Sequence, residues 1–110
     1  MRRADRLFQI VQLLRSGRLL TAAFERQRLT FKYSNKSGAA TERTVRPLGV
    51  WFWGLVWTMV AWCETRDDFR VFRVDRLENV ERGDPFRDEK GKLLSDFLAA
   101  QVGTGGFPPR

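Results

Sequence analysis

The stretch that decides the fold runs from Arg43 to Arg76 and reads RTVRPLGVWFWGLVWTMVAWCETRDDFRVFRVDR. It contains all four tryptophans of the chain and, with Arg82 just beyond it, seven arginines. Aromatic rings and guanidinium groups together are typical of a nucleotide or anion site, because aromatic rings stack on bases and arginine side chains bind phosphate. The same composition also suits the core of a small barrel with a solvated edge. Both interpretations stay open on composition alone.

Turn residues divide this stretch and its flanks into short strands. From Arg28 to Tyr33 apolar residues alternate with polar ones, which predicts a half-buried strand. Pro47 marks an edge position, a bend or a bulge, and Gly54 permits a reversal. The further strands that this pattern predicts are 42–52, 56–64, 69–76 and a short one near 78–82. Four to five closely spaced antiparallel strands are typical of a small β-barrel.

Helical periodicity is confined to the two ends of the chain. A stripe of apolar residues at i, i+3, i+4 and i+7 predicts an amphipathic helix over 4–16, with Gly17 as its stop and Thr21 placed to cap a further short turn. A second helix is expected over 91–101, followed by a disordered tail at 103–110. The predicted fold class is therefore mainly β, a small antiparallel barrel with an N-terminal amphipathic helix and a C-terminal helix. The stripe consists of Leu7, Ile10, Val11 and Leu14.

Charge and length limit the kinds of partner that the chain can have. The chain has 110 residues, enough for one domain, and a formal net charge of +7. Residues 1–46 carry 11 Lys and Arg against 3 Asp and Glu, so the basic character belongs to the N-terminal part. Such a surface attracts polyanions, nucleic acid first, although charge that serves only solubility is an equal alternative. The uncharged run 48–63 is too short to cross a bilayer, so no membrane partner is expected.

The residue types argue against catalysis. The chain has no histidine and a single cysteine, Cys63, which excludes Ser-His-Asp and Cys-His mechanisms, histidine-ligated metals and an internal disulfide. Asp67 and Asp68 lie in a predicted turn, where solvent leaves them ordinary acids. We therefore expect no enzyme, no catalytic residue, no metal and no cofactor, and a reducing cytoplasmic location.

The arginines of the fourth predicted strand need an explanation, because unpaired charge is costly to bury. Alternation places Arg70 and Arg76 on one side of that strand and Arg73 on the other. They either pair with nearby carboxylates or line a pocket for an anionic ligand. The residues by themselves favour ion pairing, with Glu64, Asp67, Asp68, Asp75 and Glu78 as the available partners.

Four segments resemble the WYL domain, the effector module of many bacterial transcriptional regulators of the YafY type. They occur in the family's order and spacing within residues 24–101 and are Tyr33, Arg43–Val50, Trp57–Cys63 and Phe69–Leu77. The resemblance implies an Sm-like, SH3-like β-barrel that senses a ligand, in some members a nucleotide or nucleic acid. The ligand contacts that it implies are Arg46, Trp57, Thr58, Arg70, Arg73 and Arg76.

Two departures from the family pattern have consequences. The Trp-Tyr-Leu tripeptide that names the family is here Trp57-Thr58-Met59, so a small hydroxyl replaces the tyrosine. Residues 1–22 look like the first helix of the helix-turn-helix domain that precedes WYL in such regulators. The chain then passes almost directly into the WYL-like strand. Most of the DNA-binding domain, including its recognition helix, is therefore expected to be missing.

The expected organisation is a helix-turn-helix remnant at 1–22, a WYL-like barrel at 23–102 and the tail at 103–110. The predicted function is a sensor of a transcriptional regulator that binds an anionic ligand, a nucleotide or single-stranded nucleic acid. One alternative is an interaction protein that forms homodimers through its N-terminal helix, and another is a folded remnant without activity. The dimerising residues would be Leu7, Ile10, Val11 and Leu14.

Overall fold

The computed structural model describes residues 3–34, 38–52 and 56–102, with side chains from 10 to 101 within those ranges. The predicted reversal at Gly54 and the tail at 103–110 lie outside them. The mainly β class with a helix at each end is confirmed. The elements are α1 (Arg3–Phe24), β1 (Gln27–Ser34), β2 (Ala40–Phe52), β3 (Trp57–Cys63), β4 (Asp68–Arg73), a 3-10 helix (Val74–Arg76), β5 (Leu77–Pro85) and α2 (Leu94–Val102).

The strands form one antiparallel sheet in the order β4-β3-β2-β1-β5. Strands β1 to β4 each pair with the next along the chain, and β5 returns to the free side of β1. Among the described residues β4 and β5 do not pair with each other, so the sheet stays open and does not close into the predicted barrel. Two edge strands therefore remain, joined by the 3-10 helix.

Pro47 lies in an inner strand, at a bulge. The pairing of β2 with β3 shifts between Pro47, which faces Ala61, and Gly49, which faces Val60. A bulge is one of the places where a sheet tolerates a proline, which has no N–H for the ladder. Immediately after it, the ring of Trp51 lies so close to Gly49 that a Cβ there would be 2.7 Å from a ring carbon. A side chain at Gly49 would therefore require the Trp51 ring to move.

The fourth strand is shorter than predicted. It ends at Arg73, and Val74–Arg76 form a turn of 3-10 helix whose first residue, Val74, is fully buried. The expectation that Arg76 shares a strand side with Arg70 was therefore wrong. Burial of Val74 against the core turns the chain out of the strand, which local alternation could not indicate.

Helix α1 continues past both of its predicted boundaries. Gly17 does not end it, and Thr21 does not begin a new helix, because its hydroxyl donates back to the Gly17 carbonyl at 2.9 Å. A glycine inside a helix costs only about 1 kcal/mol, and Leu19 and Ala22 beyond it are buried in the core. The helix ends at Phe24, and Arg26 then adopts a left-handed conformation (φ 55°).

Each face of the sheet is covered by a helix. The α1 face carries the core, in which Leu19 and Ala22 of the helix join strand residues such as Phe31, Val45 and Phe72. The opposite α2 face carries Trp62 and Phe69, whose rings meet edge to face at 5.0 Å. Phe97 of α2 lies 5.5 Å from Phe69 and closes this second layer.

Candidate ligand-binding site

Arg46 lies on the α2 face in a cluster of ion pairs. Its Nε donates to Glu64 at 2.6 Å and its Nη1 donates to Glu89 at 3.3 Å, while Arg28 donates to the same Glu64 oxygen at 2.8 Å. Burial by itself would lower the pKa of Arg46, but the hydrogen bonds to Glu64 and Glu89 raise it above the ordinary value. The guanidinium also lies 5.9 Å from the ring centre of Phe86. Arg46 is therefore a well-anchored charge that holds β2 to its surroundings.

Trp57 and Thr58 point to opposite faces of β3. Thr58 is buried, sits opposite Trp51 and Arg73 in the sheet, and donates to the Trp51 carbonyl at 3.5 Å. Trp57 is half-buried on the α1 face, packs against the core cluster and contacts Phe52 with ring centres 4.9 Å apart. Neither side chain projects freely from the surface.

The three remaining predicted residues have different surroundings. Arg73 donates two hydrogen bonds to the Asp75 carboxylate, at 3.1 and 2.8 Å, and this pairing raises the pKa of Arg73. Arg70 is exposed on the α1 face, and Arg76 is half-buried in the 3-10 helix. Within the described part of the chain, neither Arg70 nor Arg76 has a carboxylate within ion-pair distance. The six predicted residues thus divide between two faces, and their role in ligand binding stays a prediction.

Arg43 emerges from the structure as a further candidate. It belongs to the α1 face of β2, where its guanidinium carbon lies 6.0 Å from the ring centre of Phe72. Its Nε donates to Thr41 at 2.9 Å and its Nη1 approaches the Cys63 sulfur at 3.9 Å. None of its contacts among the described residues is a carboxylate, so its positive charge is not neutralised locally.

Arg43 and Arg70 share the α1 face with an aromatic cluster. Phe72 follows Arg70 by two residues on β4 and therefore shares its side of the sheet. The ring of Phe72 meets Tyr33 edge to face at 5.0 Å. Tyr33 is half-buried and its hydroxyl accepts the Arg73 backbone N–H at 3.1 Å, which fixes the ring. We name these four residues, Tyr33, Arg43, Arg70 and Phe72, the Arg43–Arg70 patch.

The chemistry of this patch is that of anion recognition. Two arginine forks that have no carboxylate partner in the described part of the chain can each donate paired hydrogen bonds to a phosphate or carboxylate. The half-exposed Tyr33 ring offers a surface on which a base could stack. Among the residues described, no group of three or more His, Cys, Asp or Glu side chains could hold a metal ion.

One signal in the sequence could have identified Arg43. It alternates with Val45 and Pro47, so a strand assignment that buries Val45 places Arg43 on the core side as well. An arginine on the core side of an inner strand is unusual, because charge is rarely buried without a partner. In the predicted fourth strand several arginines alternate with apolar residues, which drew attention to that strand. Arg43 was therefore not among the predicted contacts.

An open five-stranded sheet, one helix on each face and a cationic patch beside aromatic rings define a small β module. The sequence matches the WYL domain over residues 16–82, which is more than half of the chain. The protein therefore belongs to the WYL-domain family, as the segments Trp57–Cys63 and Phe69–Leu77 predicted. Its placement in the YafY type and the loss of a DNA-binding domain stay predictions.

One solved structure similar to this chain is Proteasome accessory factor B/C (PafBC) of Arthrobacter aurescens. The two are 28% identical in sequence with a TM-score of 0.60, over 73% of this chain and 12% of the PafBC chain. This chain therefore spans only a small part of that protein. A comparison with curated proteins found no match. Across the described residues, no helix is both long and apolar enough to span a membrane.

Proposed function

We propose that this chain is the ligand-sensing module of a transcriptional regulator, without enzymatic activity, and that its Arg43–Arg70 patch binds an anionic ligand. Membership of the WYL-domain family supports the regulatory role, which would be exercised in the cytoplasm. The observation that carries the assignment of the patch is the contrast between its arginines and their neighbours. Arg46 and Arg73 are held by carboxylates, whereas Arg43 and Arg70 have none among the described residues.

The ligand that best fits this patch is a nucleotide or a single strand of nucleic acid. Both combine phosphate, which suits the two guanidinium groups, with a flat base, which suits Tyr33. The buried rings of Phe31 and Phe72 hold Tyr33 from behind, at centre distances of 6.5 and 5.0 Å. The Tyr33 ring is therefore preorganised, which reduces the ordering cost of binding.

The first prediction concerns binding of a short fluorescein-labelled oligodeoxythymidylate, followed by anisotropy over a range of salt concentrations. Arg43→Ala and Arg70→Ala should each weaken binding about tenfold, because each removes a charge-assisted hydrogen-bonding group. The slope of log K against log salt should also fall by about 0.7 for each phosphate that the variant no longer binds. Unlabelled cyclic dinucleotides serve as competitors and distinguish a nucleotide from a strand.

Arg87→Ala is the matched control for this experiment. Arg87 is an exposed arginine in the loop before α2, so its removal makes the same change in net charge without touching the patch. Binding by this variant should remain close to that of the original chain. Equal weakening by all three substitutions, or no salt-dependent binding of any probe, would contradict the proposed site.

A second candidate function is homodimerisation through α1, and it is favoured by the side of the helix that faces away from the domain. Its domain side carries the buried residues Gln12, Ser16, Leu19 and Ala22. Its apolar stripe faces away from the domain, and Ile10, Val11 and Leu14 of the predicted set are 53%, 50% and 64% exposed. The side chain of Leu7 lies outside the described residues. Exposed Leu13, Leu20 and Phe24 extend the stripe along the helix.

The stripe suits a second copy of the same helix in antiparallel orientation. Its residues are arranged about Gly17, beside which a Cβ would meet no atom within 4 Å, so another backbone can approach there. A two-fold axis at Gly17 would place Ile10 against Phe24 and Leu14 against Leu20 of the partner helix. Such an isologous contact would cover the apolar side chains of both copies.

The second prediction is that the chain is a dimer at micromolar concentration and that Leu14→Glu makes it a monomer. A charged side chain in the middle of the stripe would have to be buried without a partner, which disfavours association. Light scattering coupled to size exclusion measures the mass, which for the monomer is 12.8 kDa. Leu98→Glu, the same exchange on α2, should leave the dimer intact. A monomeric original chain at that concentration would refute this function.

A further inference from the structure

A cavity lies between α1 and strands β1 and β5, and its lining includes none of the four residues of the Arg43–Arg70 patch. It has a volume of about 270 Å³. Three arginines line it, Arg15 and Arg18 from the helix and Arg82 from β5. Its remaining lining is aliphatic and consists of Leu19, Leu29, Leu77 and Val80.

The three arginines differ in how their charge is used. Arg15 donates from Nη2 to the Leu77 carbonyl, which fixes its guanidinium at the pocket without neutralising it. Arg82 pairs with Glu25 at 2.9 Å, but both side chains are about half exposed, and such surface pairs are weak. Arg18 is exposed and has no ion-pair partner in the described part of the chain. The pocket therefore has an excess of positive charge.

The floor of the pocket consists of core residues. Leu19, Leu29 and Leu77 are each less than 5% exposed, and Val80 forms the outer wall at 38% exposure. Among the described residues no aromatic ring lines this cavity, so they offer no stacking surface of the kind that a base would use. Its volume lies just below the usual range for small-molecule sites, which favours a small ligand.

We propose that this α1–β5 pocket binds a small aliphatic carboxylate. The carboxylate would lie against Arg18, with Arg15 and Arg82 beside it, and the hydrocarbon chain would contact Leu29, Leu77 and Val80. A planar carboxylate matches the arginine fork, and an aliphatic chain gains from contact with leucine side chains that already exclude water. This site shares no residue with the patch assigned to nucleotides or nucleic acid, and its ligand belongs to a different chemical class.

The test uses octanoate as the probe and isothermal titration calorimetry of the full chain. We expect saturable binding that weakens about tenfold in Arg18→Gln, because one charge-assisted hydrogen-bonding group is lost. Val80→Phe, which narrows the pocket and keeps every arginine, should weaken it as well. 1-Octanol, which lacks the charge, should bind more weakly than octanoate, and adenosine 5′-monophosphate should not compete.

Leu14→Gln is the control for adsorption of octanoate to the exposed stripe of α1. It lies on the same helix but outside the pocket, so binding should be unchanged. Loss of binding in Leu14→Gln with retention in Arg18→Gln would overturn the proposal, and so would the absence of saturable binding. Competition by adenosine 5′-monophosphate would also overturn it, since the site would then take nucleotides. Circular dichroism of each variant verifies that the fold is intact.

Discussion

Replacing Phe72 with alanine is expected to lower the free energy of unfolding by about 4 kcal/mol, the largest effect of any substitution that we predict. Phe72 is only 2% exposed and belongs to the core cluster on the α1 face. Its ring meets Phe31 at 5.1 Å and Tyr33 at 5.0 Å, both edge to face. The substitution therefore removes buried area, leaves a cavity and breaks two favourable ring contacts.

Such a loss is large for a domain of this size, whose total stability is of the order of 5–15 kcal/mol. The midpoint of thermal unfolding should fall by roughly 15 °C or more, measured by circular dichroism. Phe24→Ala is the matched control, because Phe24 is 84% exposed and its loss should change stability by less than about 0.5 kcal/mol where the chain is monomeric. Similar effects of the two substitutions would contradict the assignment of Phe72 to the core.

The second large effect is expected for Glu64→Gln, with a loss of about 2 kcal/mol. Glu64 accepts hydrogen bonds from Arg28 and Arg46, and the Arg46 side chain is only 13% exposed. Glutamine keeps one acceptor oxygen but removes the charge that compensates these two arginines. Because Glu64 itself is 28% exposed, solvent reduces the cost below that of a fully buried pair.

The same residue makes stability depend on pH. Burial would raise the pKa of Glu64, but the hydrogen bonds from Arg28 and Arg46 outweigh it and lower the pKa below the ordinary 4.5. A carboxylate with a lowered pKa in the folded state contributes stability that is complete above pH 4.5 and is lost as the pH falls through the folded pKa. Urea unfolding at a series of pH values from 7 downward should show this loss in the original chain.

Glu64→Gln should be less stable at neutral pH and should lose less stability on acidification. Asp88 and Glu89 also have lowered pKa values, through their hydrogen bonds with Arg26 and with Lys92 and Arg46, so part of the acid sensitivity will remain. Glu78→Gln, at an exposed position of β5, should behave like the original chain. If stability depended on pH in the same way in the Glu64 and Glu78 variants, the ion pairs of Glu64 with Arg28 and Arg46 would not stabilise the fold.

The elements of this fold could be predicted because each depends on a short, regular pattern. Alternation from Arg28 to Tyr33 indicated β1, and the structure extends it by one residue at each end. The errors occurred where a distant contact outweighed the local signal. Packing of Leu19 and Ala22 on the sheet holds α1 together across Gly17, and burial of Val74 ends β4 early.

The candidate site was predictable only in part. The sequence indicated that arginines and aromatic rings would occur together, and the resemblance to the WYL domain included Arg70. It could not indicate which arginines keep a free charge. The partners that neutralise Arg46 are 18 and 43 residues away, and Arg28 meets Glu64 across 36 residues.

By itself, the sequence determined the order of the strands and helices, the family and the cationic, histidine-free composition, because these depend on residue types and on spacings within a few residues. Only the tertiary structure decided that the sheet stays open across the described residues, that the apolar stripe of α1 faces outward and that the Arg43 guanidinium lies beside the Phe72 ring. The physical reason is that burial and ion pairing depend on which distant residues meet when the strands are placed side by side. These long-range contacts divide the arginines into some that pair with carboxylates, such as Arg46, and others, such as Arg43 and Arg70, that have no carboxylate partner among the described residues.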